Sequence, residues 1–137
     1  MVAGSTVGGT AILLNTGLVS FGNDALDSFT ATGALTHTAG SSDVVGSLTT
    51  TNTPLTLGDI TIHAATSIDS GTGALTLGNI VIDDGVTLVL GTGVATAITT
   101  GSISGTLGGA VSNLTFNTTG AVNVTGAVGV DLGTVTV

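Results

Sequence analysis

The chain has 137 residues, enough for one domain with a buried core, and 42% of them are hydrophobic, which excludes the composition of a disordered, highly charged segment. It contains no Lys or Arg and its formal net charge is −8, which excludes a phosphate clamp for nucleic acid and attraction to an anionic membrane surface. It has no cysteine, so disulfides and zinc–cysteine sites are excluded, and only a protonated His37 or His63 is available for internal ion pairs.

The residue types predict an all-β fold. Thr, Val and Ile are abundant, and their β-branched side chains fit a pleated surface better than a helix. The 23 glycines recur every few residues and would interrupt any long helix. Apolar burial and backbone hydrogen bonds must therefore stabilise the fold.

The N-terminal residues 1–17, MVAGSTVGGTAILLNTG, lack the positively charged start and the long apolar run of a signal peptide. The chain contains no run of about 18 apolar residues, so we expect no transmembrane helix and no insertion into a membrane. If the protein is exported, we expect this chain to be a mature form or an excised segment.

The next segment, FGNDALD at residues 21–27, shows some likeness to a calcium site. Asp24 and Asp27 follow a glycine turn, as carboxylates do in calcium-binding nonapeptide repeats. The motif occurs once and no GGxGxD unit follows it, so it offers few oxygen ligands. Asp24 and Asp27 are a weak calcium candidate, no other cofactor is indicated, and a polar turn is the alternative interpretation.

The middle of the chain contains an internal repeat. The segment LTLGDITI at 55–62 recurs as LTLGNIVI at 75–82, 20 residues later, and GTG follows each copy. The segment ITTGSIS at 98–104 repeats the pattern at a spacing of 23 and aligns Ile103 with Ile80. The C-terminal DLGTVTV at 131–137 aligns Val135 with Ile80 in the same way.

The repeat predicts a coil. Leu55 and Leu57 alternate with Thr56, which places both leucines on one face of a strand, and a Gly-Asx pair then makes a corner before the next strand. Such a unit cannot bury its apolar face alone, whereas units stacked in register bury a continuous core. We predict a parallel β-solenoid (β-helix) with rungs of about 20 residues, in which Leu55 neighbours Leu75 and Ile60 neighbours Ile80.

The predicted solenoid is a single domain or segment over residues 1–137, clearest in rungs 55–74 and 75–94, with about six rungs and a length of roughly 30 Å. An antiparallel β-sandwich stays open as the alternative, because turn signals about every 8–12 residues also fit that fold.

The stretch 17–62, which ends in LTLGDITI, and the later LTLGNIVI resemble the repeat regions of large bacterial surface exoproteins, namely the filamentous-haemagglutinin-like and related β-strand-repeat proteins. The resemblance covers most of residues 12–137. It implies a right-handed parallel β-helix, export to the extracellular space or cell surface, and a role as a stalk or adhesin. It offers no catalytic residues to carry over, and the secretion domain and signal segment of those proteins have no counterpart here.

The titratable residues do not predict an enzyme. His37 and His63 are 26 residues apart, each in a Thr-rich strand without a His or Asp at ligand spacing, so we expect both to face solvent. The Asp83-Asp84-Gly85 sequence predicts a turn. No G-x-S-x-G elbow occurs, and we expect no catalytic residues.

Two further patterns concern the outer surface. Thr56, Thr76 and Thr99 are expected to stack in a column, as on ice-binding solenoids, but Thr61 aligns with Val81 and then Ser104, so a second threonine column is not expected. The absence of Trp and Tyr disfavours stacking on a glycan. The N-x-T sequons, at Asn113, Asn117 and Asn123, are interpreted as chance.

The sequence therefore favours a non-catalytic structural or adhesive segment, which forms a stalk, matrix or adhesin. Because TVTV at 134–137 carries no charge or proline to protect a strand edge, we expect end-to-end strand pairing with another copy or with neighbouring repeat segments. The alternative is a subunit of an extracellular filament built from β-sandwiches that exchange strands. An ice- or glycan-binding module is the third hypothesis, and no motif identifies a surface ligand.

Overall fold

The computed structural model describes residues 4–137, and these residues form β-strands and no helix. The strands are β1 (Ser5–Val7), β2 (Ala11–Ile12), β3 (Val19–Phe21), β4 (Ser28–Ala31), β5 (Leu35–His37), β6 (Ser42–Thr50), β7 (Leu55–Leu57), β8 (Ile60–Asp69), β9 (Leu75–Leu77), β10 (Ile80–Ile82), β11 (Thr87–Leu90), β12 (Ile98–Thr100), β13 (Ile103–Gly105), β14 (Ser112–Phe116), β15 (Val122–Val124) and β16 (Leu132–Thr136). Residues 1–3, the start of the segment compared with a signal peptide, lie outside the described residues.

All the pairs between these strands are parallel. The strands stack in coils of about 21 residues that form a β-solenoid of about six turns. The predicted all-β parallel solenoid is confirmed, and the antiparallel β-sandwich is wrong. A sandwich pairs strands that follow one another through hairpins, whereas β7 pairs with β5 and β9, each one coil away.

Two sheets wrap around the core. Sheet B consists of β2, β5, β7, β9, β12 and β15, each contributing a short strand from one coil. Sheet A contains the other ten strands, and its long strands β6 and β8 turn a corner, so that β8 pairs with β10 at its start and with β11 at its end. Each coil therefore presents several short strand segments that are separated by corners.

The register confirms the predicted columns. Leu55 pairs with Leu75, and Ile60 pairs with Ile80, which in turn pairs with Ile103 at the predicted spacing of 23. The alignment of DLGTVTV with the same column is wrong, because β16 pairs with β14 and places Val135 beside Leu114. Val128, which forms a parallel bridge with Ile103, takes the next position in the Ile80 column, so β16 belongs to the following segment of the coil, beside β14.

Alternating side chains fill the interior with aliphatic columns. The burial of β7 is buried–half-buried–buried, so Leu55 and Leu57 point inward and Thr56 points outward. The buried core consists of Phe21, Ala31, Leu35, Val44, Leu48, Leu55, Leu57, Ile60, Ile62, Ile68, Leu75, Leu77, Ile80, Ile82, Leu88, Leu90, Ile98, Ile103, Leu114 and Phe116. Burial of each large aliphatic side chain stabilises the fold by about 1.5–3 kcal/mol. These columns are continuous through the coils and stabilise a chain that has no Lys, Arg or cysteine.

Candidate functional sites

A histidine between two aspartates lies on the outside of the solenoid. The Nδ1 atom of His63 is 2.7 Å from Oδ2 of Asp83, and its Nε2 atom is 3.4 Å from Oδ1 of Asp43. Asp43 belongs to β6, His63 to β8, and Asp83 follows β10, so the three side chains come from three consecutive coils. We call these residues the His63 cluster. Its side chains are partly exposed, with relative accessibilities of 46% for His63, 22% for Asp43 and 39% for Asp83.

The cluster favours the protonated imidazole. The hydrogen bond with Asp83 is the largest influence and raises the pKa of His63 above its usual value. Partial burial acts in the opposite direction, whereas the charges of Asp43 and Asp83 and a hydrogen bond with Asp43 raise the pKa further. When protonated, His63 supplies the positive charge of an ion pair in this chain without Lys or Arg, and it is one of the two histidines that the composition left available for this role.

The surroundings of His63 agree with the sequence prediction in exposure and differ from it in the neighbouring residues. His63 faces solvent, but it does have aspartates within contact distance. Residues 43, 63 and 83 are separated by 20 positions each, which is the period of the repeat. In a solenoid, a residue contacts the residue one coil away, so the signal for this cluster is the 20-residue period and not the short ligand spacings of helices and strands.

His37 was also predicted to face solvent, and this prediction is wrong. The side chain of His37 is fully buried in β5, where it pairs with Leu57 of the next coil. Its Nδ1 atom lies 2.9 Å from Oγ of Ser42, which is also buried, and its Nε2 atom lies 3.2 Å from the carbonyl oxygen of Asn15. The imidazole occupies an inward position because it follows the alternation of β5, and these two contacts satisfy its nitrogens.

The calcium candidates Asp24 and Asp27 share one loop between β3 and β4, and their oxygens bind backbone amides. The Oδ2 atom of Asp27 accepts hydrogen bonds from the amides of Asn23 and Asp24, at 2.9 and 3.2 Å, and Oδ1 of Asp24 accepts one from Leu26 at 2.9 Å. Asp27 is buried. These bonds form the polar turn that was the alternative interpretation, and among residues 4–137 no group of three or more His, Cys, Asp or Glu is arranged to hold a metal ion. Calcium binding at Asp24 and Asp27 stays a prediction.

Polar side chains at the corners form ladders between coils. The Oδ1 atom of Asp59 accepts hydrogen bonds from the backbone and side-chain nitrogens of Asn79, at 2.9 and 3.1 Å. Asn79 in turn accepts hydrogen bonds from the amide and the hydroxyl of Ser102, at 3.0 and 2.8 Å. The Asx residue after the corner glycine therefore stabilises the stacking of the coils. Its side-chain oxygen accepts a hydrogen bond from a backbone N–H group of the next coil, where the strand pairing is interrupted.

The outer face of sheet B is uncharged and regular. The predicted column of Thr56, Thr76 and Thr99 is confirmed by the register, and Thr36 extends it by one coil. A second column beside it consists of small side chains, and its backbone carbonyls accept hydrogen bonds from the neighbouring coils; its members are Ala34, Pro54, Ala74, Ala97 and Ala121. As predicted, Thr61, Val81 and Ser104 share a mixed column on sheet A.

A shallow groove of about 310 Å³ crosses the outer face of sheet A. Its lining residues are small and uncharged: Ala25, Gly46, Ser47, Ala65, Thr66, Ser67, Thr87 and Val89. This lining offers hydroxyl groups and methyl groups but no acid, base or thiol. The groove can therefore make hydrogen bonds and apolar contacts with another surface.

The structure of residues 4–137 has no helix long and apolar enough to span a membrane. Comparisons of the chain with protein-family models, with curated proteins and with solved structures find no match in any of the three.

Proposed function

We propose that this chain is a rod-forming, non-catalytic segment of an exported bacterial surface protein, in which it serves as a stalk or adhesin. The continuous aliphatic core is the observation that supports this role. Columns such as Leu35–Leu55–Leu75–Ile98 connect successive coils without a break, so the apolar interior runs along the axis of the solenoid. Such a core grows in one dimension as coils are added, which suits a protein that must project or span.

The two ends of the solenoid support end-to-end pairing. Among residues 4–137, β16 ends the main path of sheet A, and β2 and β15 end the path of sheet B, so each of these three strands pairs with one other strand. Of the eleven large hydrophobic side chains that are exposed among the described residues, seven lie in the terminal coils: Ile12, Leu14, Leu18, Val128, Val130, Val135 and Val137. We propose that further coils of the same architecture, from a second copy or a neighbouring segment, cover these ends.

Charge at one end is expected to prevent this association. We expect the native chain to form elongated oligomers as its concentration rises, and Val135→Lys in β16 to weaken their assembly at least about tenfold, because a charge on an edge strand opposes strand pairing. Val94→Lys is the matched control, since Val94 is also exposed but lies on the side of the rod. Sedimentation velocity and negative-stain electron microscopy measure the effect. A native chain that stays monomeric at millimolar concentration would contradict end-to-end pairing.

Adhesion itself is tested by display on a bacterial cell. We expect cells that display the native chain to bind one another or a surface more strongly than cells that display Leu75→Asp at equal surface density. We expect this variant to unfold, because it places a carboxylate in the buried core. Equal adhesion of the two populations would contradict the adhesive role, and rods that assemble without adhesion would restrict the proposal to a stalk.

A second candidate function rests on the outer face of sheet B. Its threonine column and its column of alanines and proline form an uncharged array that repeats at about 4.8 Å along the axis. Threonine presents a methyl and a hydroxyl group at each step, and such an array can order water and bind an ice surface. Only one of the two columns is threonine, which makes this the weaker proposal.

The ice hypothesis has a direct test. If sheet B binds ice, the native chain will inhibit ice recrystallisation, and Thr56→Lys combined with Thr76→Lys will abolish the inhibition by placing charges on that face. Ser47→Lys combined with Ser67→Lys, on the outer face of sheet A, is the matched control. Absence of thermal hysteresis at millimolar native protein rules out this function.

A further inference from the structure

We propose that Asp43, His63 and Asp83 form a proton-dependent clamp, which holds three consecutive coils together when His63 is protonated and weakens when His63 is neutral. The clamp requires no ligand, and it is independent of what the surface of the rod binds. It makes the cohesion of the solenoid at this corner depend on the acidity of its surroundings.

The position of the cluster explains why a clamp matters here. The parallel pairing of β8 with its neighbours stops at Ile62 and resumes at Thr66, on the side of β6 as well as on the side of β10 and β11. Residues 63–65 therefore lie at a corner where the strand ladder between coils is interrupted. The His63 side chain spans this interruption in both directions, toward Asp43 of the previous coil and toward Asp83 of the next.

The charges around the imidazole make the clamp sensitive to protons. A protonated His63 donates from both ring nitrogens, so it can satisfy Asp43 and Asp83 at the same time. A neutral imidazole has a single N–H group, so at most one aspartate keeps its donor and the other carboxylate faces a lone pair. Among the described residues these two aspartates are the groups in ion-pair contact with His63, and the nearby Asp84 instead accepts a hydrogen bond from Thr106 at 2.7 Å.

The sign of the pH dependence follows from the direction of the shift. The folded chain raises the pKa of His63 above its value in the unfolded chain, chiefly through the hydrogen bond with Asp83. The stabilisation is therefore fully present below the unfolded value of about 6.5 and is lost as the pH rises through the higher pKa of the folded state.

The first experiment compares thermal unfolding at about pH 5.5 and about pH 8 in low salt. We expect the native chain to melt about 2–4 °C higher at the lower pH, a modest shift because the pairs are partly exposed. His63→Gln keeps a polar side chain at the site and removes the titrating group, so we expect it to abolish at least half of that difference. A pH difference that is as large in His63→Gln as in the native chain would overturn the clamp, as would a native chain that is equally stable at both values.

The second experiment measures the clamp directly and uses the folded protein only. Titration of the His63 ring by nuclear magnetic resonance should give a pKa above the ordinary histidine value, and Asp83→Asn should lower it. Asp84→Asn is the matched control, because it removes the same charge from the adjacent residue and leaves an oxygen to accept the hydrogen bond of Thr106. If Asp84→Asn lowered the pKa as much as Asp83→Asn, the shift would come from the net charge and the proposed clamp would be wrong.

Discussion

Replacing Leu75 by alanine is expected to reduce the free energy of unfolding by about 3 kcal/mol, within the usual range of about 2–5 kcal/mol for a buried leucine. Leu75 is fully buried in β9 and lies between Leu55 of the previous coil and Ile98 of the next. The backbones of these coils are fixed by hydrogen bonds on both sides, so the coils cannot close around the vacated space. The substitution therefore loses the transfer free energy of the side chain and also leaves a cavity.

The matched control for Leu75→Ala is Thr76→Ala. Thr76 is the next residue in the same strand, but it is exposed on the outer face of sheet B. We expect its substitution to change the free energy of unfolding by less than about 0.5 kcal/mol. Urea denaturation followed by far-ultraviolet circular dichroism measures both variants. Equal effects of the two substitutions would show that Leu75 does not lie in a core column, and the solenoid would then be refuted.

Replacing Gly73 by alanine is expected to destabilise the fold by about 2–3 kcal/mol, although alanine is usually tolerated at an ordinary backbone conformation. A Cβ atom at Gly73 would lie 2.3 Å from the carbonyl carbon and 2.4 Å from the carbonyl oxygen of Thr53, in the previous coil. Both contacts are with backbone atoms, which cannot rotate away as a side chain can. Relief of the overlap requires the two coils to separate, which strains the hydrogen bonds beside the corner.

Gly17→Ala is the control for Gly73→Ala. A Cβ atom at Gly17 has no atom within 4 Å, and this glycine does not adopt a positive φ angle. We expect Gly17→Ala to be neutral or to stabilise the chain by about 0.4–1 kcal/mol, because alanine restricts the unfolded state. Urea denaturation of the two variants gives the comparison. A neutral Gly73→Ala would mean that the coils approach less closely at this corner than the structure indicates.

Gly71 and Gly73 show which part of the fold could be predicted from residue patterns. A GTG follows each of the two repeat copies, glycine is a common turn residue, and Gly71 does adopt a positive φ angle of 58°. Gly73 is also needed for the close approach to Thr53, and this requirement is visible only when the two coils are stacked. The neighbouring coil is about 20 residues away in sequence, and a local pattern contains no information on that distance of approach.

The two histidines also show that the local sequence does not predict which residues a side chain contacts. Both lie in Thr-rich segments with similar local sequences, yet His37 is buried and His63 is exposed between two aspartates. The difference arises from the register of each strand relative to the core, because one step along a strand moves a side chain to the opposite face. The 20-residue period was sufficient to align residues 43, 63 and 83, but only the corner of β8 shows that their side chains meet.

Composition and the internal repeat indicated an all-β protein without disulfides, Lys or Arg, whose apolar residues recur in columns one coil apart. These properties follow from residue types and from a regular spacing. The direction of each side chain at the corners, the length of each coil and the assembly of the His63 cluster became known only with the fold. These features depend on the register between strands that are far apart in the chain, and the packing of the whole core sets that register.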